Sequence, residues 1–175
     1  EIEASPAIKE VIKRQILEPA IEQNLKAHVE RLQPVEDITS RKVREQYEEN
    51  PYPRWITLRL EPKPHTVSKI VDQLKLRLLD NKILEVKNPQ ILIAGCGTGQ
   101  QSIGESQRFR NSQVTAIDLS LTSLAYAQRK TEELGIRNIR YVQADILDSK
   151  KLNSNFDIIE SSGVLHHMHD PMAGG

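Results

Sequence analysis

Three glycines follow a short apolar run near the middle of the chain, in the segment ILIAGCGTGQ at residues 91–100. They are Gly95, Gly97 and Gly99. Glycine has no Cβ, so such a turn lets a ligand approach the backbone closely, and a helix start beyond it offers free amides. A dinucleotide fingerprint needs G-x-G-x-x-G, but Gln100 and Ser102 stand where its third glycine would be. The spacing therefore favours a smaller ligand without a pyrophosphate.

Aspartates end the next two predicted strands. Asp118 ends QVTAID, and Asp145 ends IRYVQAD. The carboxyl ends of parallel strands meet at one edge of a sheet, where open α/β folds bind ligands. An acid at the second strand end can accept hydrogen bonds from both hydroxyls of a ribose. The glycine turn and the two acids together predict a site for a nucleoside-like cofactor.

Histidines follow the fourth predicted strand, FDIIES, in the segment GVLHHMHDP. His166 and His167 are candidates for a general base, because histidine titrates near neutral pH. The alternative is that they pack against or cap the loop. A metal site that adds His169 is disfavoured, because adjacent histidines point in different directions and no cysteine is near. We therefore predict no metal.

Aromatic side chains and an arginine lie close together before the glycine turn. They are Tyr47, Tyr52, Arg54 and Trp55. In one interpretation they form a substrate-binding lid, in which aromatic faces attract a cation and the arginine pairs with a carboxylate. In the other, Pro51 and Pro53 stiffen a corner that the aromatic rings fill. The sequence leaves both interpretations open.

The elements that must position these residues fall into two regions. Up to about residue 85, apolar stripes at helical spacing predict helices, with Ser5-Pro6 as a first helix start and an interruption at Pro19. The stripes are Ile8, Val11, Ile12 and Ile16, then Ile21, Leu25, Val29 and Leu32, and then Val67, Ile70, Val71, Leu74 and Leu78. A further helix is predicted over 41–49, ending before Pro51.

From Ile91 onward, predicted strands and helices alternate. The strands are QILIA, QVTAID, IRYVQAD and FDIIES, with helices predicted over 98–109 and 120–134 between the first three. Ser120 is a candidate cap for the second of these helices, and Gly135 is its stop. This order predicts an α/β fold with a parallel sheet and right-handed crossovers.

Composition restricts the partners. The 175 residues carry 24 basic and 24 acidic side chains, so no general basic field predicts binding to nucleic acid or to a membrane surface. No apolar run approaches the length of a membrane helix. Cys96 is the single cysteine, which is typical of a reducing, cytoplasmic setting. A reactive thiol is one interpretation of Cys96, and a small residue that fits a tight turn is the favoured one.

The four linked motifs resemble the class I S-adenosylmethionine-dependent methyltransferases. The resemblance covers residues 90–171 and rests on ILIAGCGTGQ, VTAIDLS, VQADILD and FDIIESSGVLHHMHDP. It implies a Rossmann-like parallel sheet, of which this chain holds the first four of seven strands, and S-adenosyl-L-methionine as the cofactor. The activated methyl group would pass to an unidentified small-molecule or protein acceptor.

The resemblance also implies a cofactor-binding set. The glycine turn would hold the methionine part, Asp118 the ribose, and Asp145 with Ile146 the adenine. The whole set is Gly95, Cys96, Gly97, Thr98, Gly99, Asp118, Leu119, Asp145, Ile146, Ser161 and Gly163. One position departs from the family, because Ile93 stands where an acid commonly helps to hold the amino group of the cofactor.

The segment VREQYEENPYPRW resembles the region ahead of methyltransferase domains that are fused to tetratricopeptide repeats in bacterial proteins. We therefore divide the chain into an N-terminal helical segment, 1–63, and a partial class I methyltransferase domain, 64–175. We also predict that the chain is truncated after the fourth strand. The missing C-terminal half, or a second copy in a homo-oligomer, would cover the edge of that strand.

Two other functions compete with a methyltransferase. The first is a module that binds the cofactor or a protein partner without catalysis, an alternative supported by Ile93 and by the predicted truncation. The second is a nicotinamide-dependent oxidoreductase, which the glycine spacing disfavours.

Overall fold

A parallel sheet of five strands forms the centre of the protein. The computed structural model describes residues 5–34 and 37–164. Its strands are β1 (Glu30–Arg31), β2 (Gln90–Ala94), β3 (Gln113–Asp118), β4 (Ile139–Gln143) and β5 (Ile158–Ser161). They lie in the order β1-β4-β3-β2-β5, and every neighbouring pair is parallel. The predicted α/β fold with a parallel sheet and an N-terminal helical segment is confirmed.

Helices precede the sheet and connect its strands. The α-helices are α1 (Pro6–Ile12), α2 (Glu18–His28), α3 (Ile38–Glu49), α4 (Val67–Leu74), α5 (Gln100–Arg108) and α6 (Leu121–Glu133). A π-helical turn occupies Lys13–Leu17, and 3-10 helices occupy Asn81–Glu85 and Ile146–Leu152. Within residues 5–34 and 37–164, every helix is too short or too polar to span a membrane.

Strand β2 is an apolar run because both faces of the sheet are covered there. Ile91 and Ile93 join the core on one face, while Leu92 and Ala94 join a second core on the other. All four are buried, and each fully buried isoleucine side chain stabilises the fold by about 1.5–3 kcal/mol. Such two-sided burial is typical of a parallel sheet whose connections lie on its faces.

The predicted caps of α6 are confirmed. Ser120 accepts a hydrogen bond from the amide of Ser123, and Gly135 adopts a left-handed conformation (φ +69°) just beyond the helix. The serine cap, the apolar face and the glycine stop all lie within one short segment, so the local sequence was sufficient to predict this helix.

The predicted interruption at Pro19 is wrong. The chain passes from α1 through the π-helical turn at Lys13–Leu17 into α2, and Pro19 lies in the first turn of α2. Proline lacks an amide hydrogen and its ring crowds the preceding turn, and a wider π turn accommodates such a residue without ending the helix.

The second predicted stripe is also shorter than expected. Helix α2 ends at His28, and Glu30–Arg31 form an edge strand beside β4. The amide of Leu32 continues this pairing by donating to the carbonyl of Gln143 at 3.0 Å. Arg140 reinforces it with a two-pronged contact to Glu30. Backbone pairing with β4 therefore overrides the helical spacing of Val29 and Leu32.

Two other stripes differ from expectation. Ile8, Val11, Ile12 and Ile16 are 40–60% exposed, and none of them belongs to the hydrophobic clusters of the described residues. Helix α4 ends at Leu74, because Lys75 takes a left-handed conformation, and Leu78 lies beyond the helix. Val67 and Ile70 are its buried positions.

A buried ion-pair network joins the N-terminal segment to the α/β part. Arg129 of α6 contacts Glu22 (2.9 Å) and Glu18 (3.3 Å) of α2, and Arg54 contacts Glu22 at 2.6 Å. Glu22 and Arg129 are only 6% and 3% exposed. The network anchors α2 and the loop before the glycine turn to the same helix of the sheet domain.

Candidate functional site

A cavity of about 470 Å³ opens at the carboxyl edge of the sheet. The ends of β2, β3 and β4 contribute Gly95, Asp118 and Asp145 to its wall, and the segment after β5 contributes Gly163. A second group of lining residues comes from α3, its N-cap and the following loop. They are Asp37, Thr39, Ser40, Val43, Tyr47 and Tyr52. The predicted strand ends thus meet in one concave site.

The glycine turn is held against the neighbouring strand by backbone hydrogen bonds. The amides of Gly95 and Cys96 both donate to the carbonyl of Ile117, at 2.8 and 2.9 Å. Gly95, Gly97 and Gly99 all have positive φ, a conformation that favours glycine. Gly95, Cys96, Gly97 and Thr98 line the cavity.

Gly99 has a different role from the other two glycines. It does not line the cavity, and a Cβ added to it would lie 2.6 Å from the Cβ of Ala127. A Cβ on Gly97 would approach nothing closer than 3.6 Å, the carbonyl oxygen of Tyr52. Close packing against α6 therefore requires the third glycine, whereas the sequence interpretation was that all three admit a ligand.

Asp118 is held by amides at the end of β3. Its Oδ2 accepts from the amide of Gly97 at 2.8 Å and its Oδ1 from the amide of Ser120 at 2.9 Å. Burial raises the pKa of Asp118, and these amide contacts oppose that effect. Each carboxylate oxygen has two acceptor positions, so both retain capacity for a ligand hydroxyl.

The end of β4 presents a second acid. Asp145 is only 4% exposed, and it caps the 3-10 helix by accepting from the amide of Leu147 at 3.0 Å. Ile146 and Leu147 line the cavity beside it. Leu119 also lines the cavity, and its carbonyl accepts from the side-chain amide of Gln143 at 2.9 Å. The predicted ribose and adenine residues are therefore neighbours on one wall.

Two predicted cofactor-binding residues lie at the end of β5 or just beyond it, and only one of them lines the cavity. Gly163 lines the cavity together with Ser162. Ser161, by contrast, is not part of the lining, and its buried hydroxyl has no hydrogen-bond partner among the described residues. His166, His167 and His169 lie outside the described residues. Within the described ranges, no group of three or more His, Cys, Asp or Glu side chains is arranged to hold a metal ion.

Only two of the four residues in the predicted aromatic cluster line the cavity. Tyr47 and Tyr52 line the cavity, as a lid would. Trp55 is buried behind the glycine turn, where its indole N–H donates to the carbonyl of Thr98 at 3.0 Å and its ring meets Tyr126 edge to face. Arg54 pairs with Glu22 rather than facing the cavity. Trp55 and Arg54 therefore pack outside the cavity lining, whereas Tyr47 and Tyr52 are part of it.

The loop that contains Pro53 and Trp55 is tied directly to the glycine turn. The hydroxyl of Thr98 donates to the carbonyl of Pro53 at 2.5 Å. In the other direction, the indole N–H of Trp55 donates to the carbonyl of Thr98. The two hydrogen bonds fix the loop that carries Tyr52 against the turn. The N-terminal segment is thus part of the cavity wall.

Helix α3 supplies cavity residues that the sequence analysis missed. Asp37 caps the helix by accepting from the amide of Ser40 at 2.7 Å, and this contact lowers the pKa of Asp37. At the other end of the helix, Glu48 accepts from the hydroxyl of Ser120 (3.0 Å) and the amide of Thr122 (3.2 Å). The cap was visible in the sequence, but the contact to Ser120, 72 positions away, was not.

Cys96 in the glycine turn and Ile93 in β2 are both buried in the hydrophobic core. Burial raises the pKa of the Cys96 thiol well above its usual range, which disfavours a reactive thiolate. Ile93 is fully buried in the core on its face of the sheet. It pairs in register with Glu160 of β5.

Residues 91–174 match the methyltransferase domain family. An uncharacterised protein from a Synechococcus species is 37% identical over 91 residues, which cover 51% of this chain and 22% of that protein. The release factor glutamine methyltransferase of Rhodopirellula baltica is 33% identical over 107 residues, covering 59% of this chain and 34% of that enzyme.

Among solved structures, PKMT2 from Rickettsia typhi in complex with AdoHcy is 27% identical, with a TM-score of 0.41. The similarity covers 44% of this chain and 15% of that one. The matched segments therefore span between 15% and 34% of the lengths of these three proteins.

Proposed function

We propose that this chain carries an S-adenosylmethionine-dependent methyltransferase activity toward an unidentified small-molecule or protein acceptor. The observation that carries the proposal is the convergence of the glycine turn, Asp118 and Asp145 on one cavity wall. The match of residues 91–174 to the methyltransferase domain supports it.

The charge of the cavity fits this cofactor. Among the described residues that line it, Asp37, Asp118 and Asp145 are carboxylates, and none is lysine, arginine or histidine. A sulfonium and an ammonium group are both favoured by such surroundings. The pyrophosphate of a dinucleotide is not, so the charge pattern also counts against the nicotinamide alternative.

Each part of the wall has a role in this proposal. Asp118 accepts hydrogen bonds from the ribose hydroxyls, Asp145 and Ile146 contact the adenine, and Gly95 and Gly97 admit the methionine part. When bound, S-adenosylmethionine would supply an activated methyl group with a good leaving group. The chain contributes alignment and exclusion of water, and alignment can lower a barrier by about 7 kcal/mol or more. His166 or His167 serves as base where the acceptor must lose a proton.

Binding and catalysis are tested separately. Titration calorimetry with S-adenosylmethionine should show binding, and Asp118→Ala should weaken it by about tenfold or more, because hydrogen bonds to a charged group are lost. Asp72→Ala, an exposed acid on α4, is the matched control and should bind like wild type. Absence of binding by the wild type at millimolar cofactor would contradict the proposal.

The second candidate is a cofactor-binding module without catalysis. Ile93 favours it, because the acid that commonly helps to hold the amino group is replaced by a buried apolar side chain. Binding without methyl transfer to any of a varied set of acceptors would support this candidate over an enzyme.

Several expectations about the whole protein are proposals of the same kind. They are the division at residues 63 and 64, fusion to tetratricopeptide repeats, a cytoplasmic location, and coverage of β5 by a further segment or a second copy. Limited proteolysis tests the division, because cleavage between the two parts should leave two fragments that remain associated through Glu22 and Arg129.

A further inference from the structure

The acid missing from β2 has a counterpart on the neighbouring strand. Ile93 and Glu160 are register partners in the parallel pair β2–β5, so their side chains leave the same face of the sheet. Ile93 is fully buried, whereas Glu160 is only partly buried. The carboxylate of Glu160 therefore lies on the strand next to Ile93, the position where the family commonly has an acid.

Glu160 holds a side chain that lines the cavity. Its Oε2 accepts from Nε2 of Gln101 at 2.7 Å, and Gln101 lies in the first turn of α5. A carboxylate only accepts hydrogen bonds, so the amide of Gln101 must turn its NH2 group toward Glu160. This leaves Oε1 of Gln101 as an acceptor, and it has no hydrogen-bond partner among the described residues.

Two acidic side chains, Glu105 and Glu160, lie near Gln101. Glu105, one turn further along α5, has a buried Oε2 without a hydrogen-bond partner among the described residues. Burial and the nearby charge of Glu160 raise the pKa of Glu105, and Arg108, whose Nη1 lies 3.4 Å from Oε1 of Glu105, only partly opposes this shift. A cationic group at Gln101 would relieve the repulsion between these two carboxylates, so the surroundings favour a cation there.

We infer that Gln101, oriented by Glu160, accepts a hydrogen bond from the ammonium group of the methionine part of the cofactor. Gln101 is the binding residue, and Glu160 is a positioning residue that acts through it. The inference rests on the proposed function, and it explains how the site holds the amino end of the cofactor without an acid at position 93.

Two ligands separate this inference from the proposed function. S-adenosylhomocysteine has the amino-acid end, whereas 5′-methylthioadenosine has the same adenosine and thioether without it. In titration calorimetry, Gln101→Leu should weaken binding of S-adenosylhomocysteine about tenfold and leave that of 5′-methylthioadenosine within about twofold. Gln107→Leu, the same change on the outer part of α5, should alter neither affinity.

The positioning role has its own variants. Glu160→Ala should reduce the preference for S-adenosylhomocysteine, and Glu160→Gln should restore most of it, because the new carbonyl can still accept from Gln101. If Gln101→Leu does not fold, Gln101→Asn withdraws the acceptor by one methylene and should show the same selective loss.

The outcomes are distinct. An equal loss for both ligands, or no loss for either, would overturn the inference while the proposed function stands. If wild type binds neither ligand, the proposed function fails and the inference fails with it.

Discussion

The backbone amide of Gly97 donates to Oδ2 of Asp118, with nitrogen and oxygen 2.8 Å apart. This contact joins the glycine turn after β2 to the acid that ends β3. It orients the carboxylate at the cavity wall before any ligand arrives, so less ordering is required when a ligand binds there. The two motifs therefore act as one structural unit.

Cofactor binding should depend on the ionisation of Asp118. Burial raises its pKa, so the carboxylate gains a proton at a higher pH than an exposed aspartate does. Affinity for S-adenosylhomocysteine should therefore fall as the pH is lowered from neutrality through that raised pKa. Asp118→Asn should bind about tenfold more weakly at neutral pH and lose this dependence. Calorimetry across a pH series measures both, and an unchanged pH dependence in Asp118→Asn would assign the titration to another group.

Alanine substitutions should separate the roles of two glycines. Gly99→Ala forces a left-handed alanine into contact with Ala127, so the free energy of unfolding should drop by about 3 kcal/mol. Gly97→Ala meets no such contact and should cost about 1 kcal/mol. Urea denaturation followed by circular dichroism gives both values. Equal losses would contradict the packing role of Gly99.

Breaking the ion-pair network should destabilise the fold strongly. Glu22→Gln removes the most buried carboxylate from Arg129, which keeps Glu18 and Glu133, and also from Arg54, so we expect a loss of about 3 kcal/mol. The double variant Glu22→Leu with Arg129→Met removes both charges and should lose less than Glu22→Gln does. Chemical denaturation of the three proteins tests this order, and a double variant less stable than the single one would contradict it.

Glu105 should make the protein less stable at neutral pH than at mildly acidic pH. Its pKa is raised, so the folded chain keeps the proton to a higher pH than the unfolded chain. The stability linked to Glu105 is complete below the ordinary glutamate pKa and is lost as the pH rises through the raised value. Glu105→Gln should therefore be more stable at neutral pH, by on the order of 1 kcal/mol.

The difference should shrink as the pH falls, because wild-type Glu105 then becomes neutral too. Glu85→Gln, at an exposed position, is the control and should show no such difference. A Glu105→Gln variant that is less stable than wild type at neutral pH would show that the ion pair of Glu105 with Arg108, at 3.4 Å, outweighs the cost of burying the charge.

Local sequence determined strands β2 to β5, the caps of α6 and the positions of the glycine turn, Asp118 and Asp145. Each of these depends on residues close together in the chain, namely apolar runs, a serine cap and a glycine stop. The convergence of the acids could also be predicted, because parallel strands direct their carboxyl ends to one edge.

Tertiary structure decided the rest. It made Glu30–Arg31 an edge strand, buried Trp55 behind the glycine turn, packed Gly99 against Ala127 and placed Glu160 opposite Ile93. These relationships join residues that are far apart in the chain, and no periodicity in either segment encodes them. They depend on how the crossovers bring strands and helices together, so only the folded chain shows that Gly99 packs against α6 and that Glu160 lies beside Ile93.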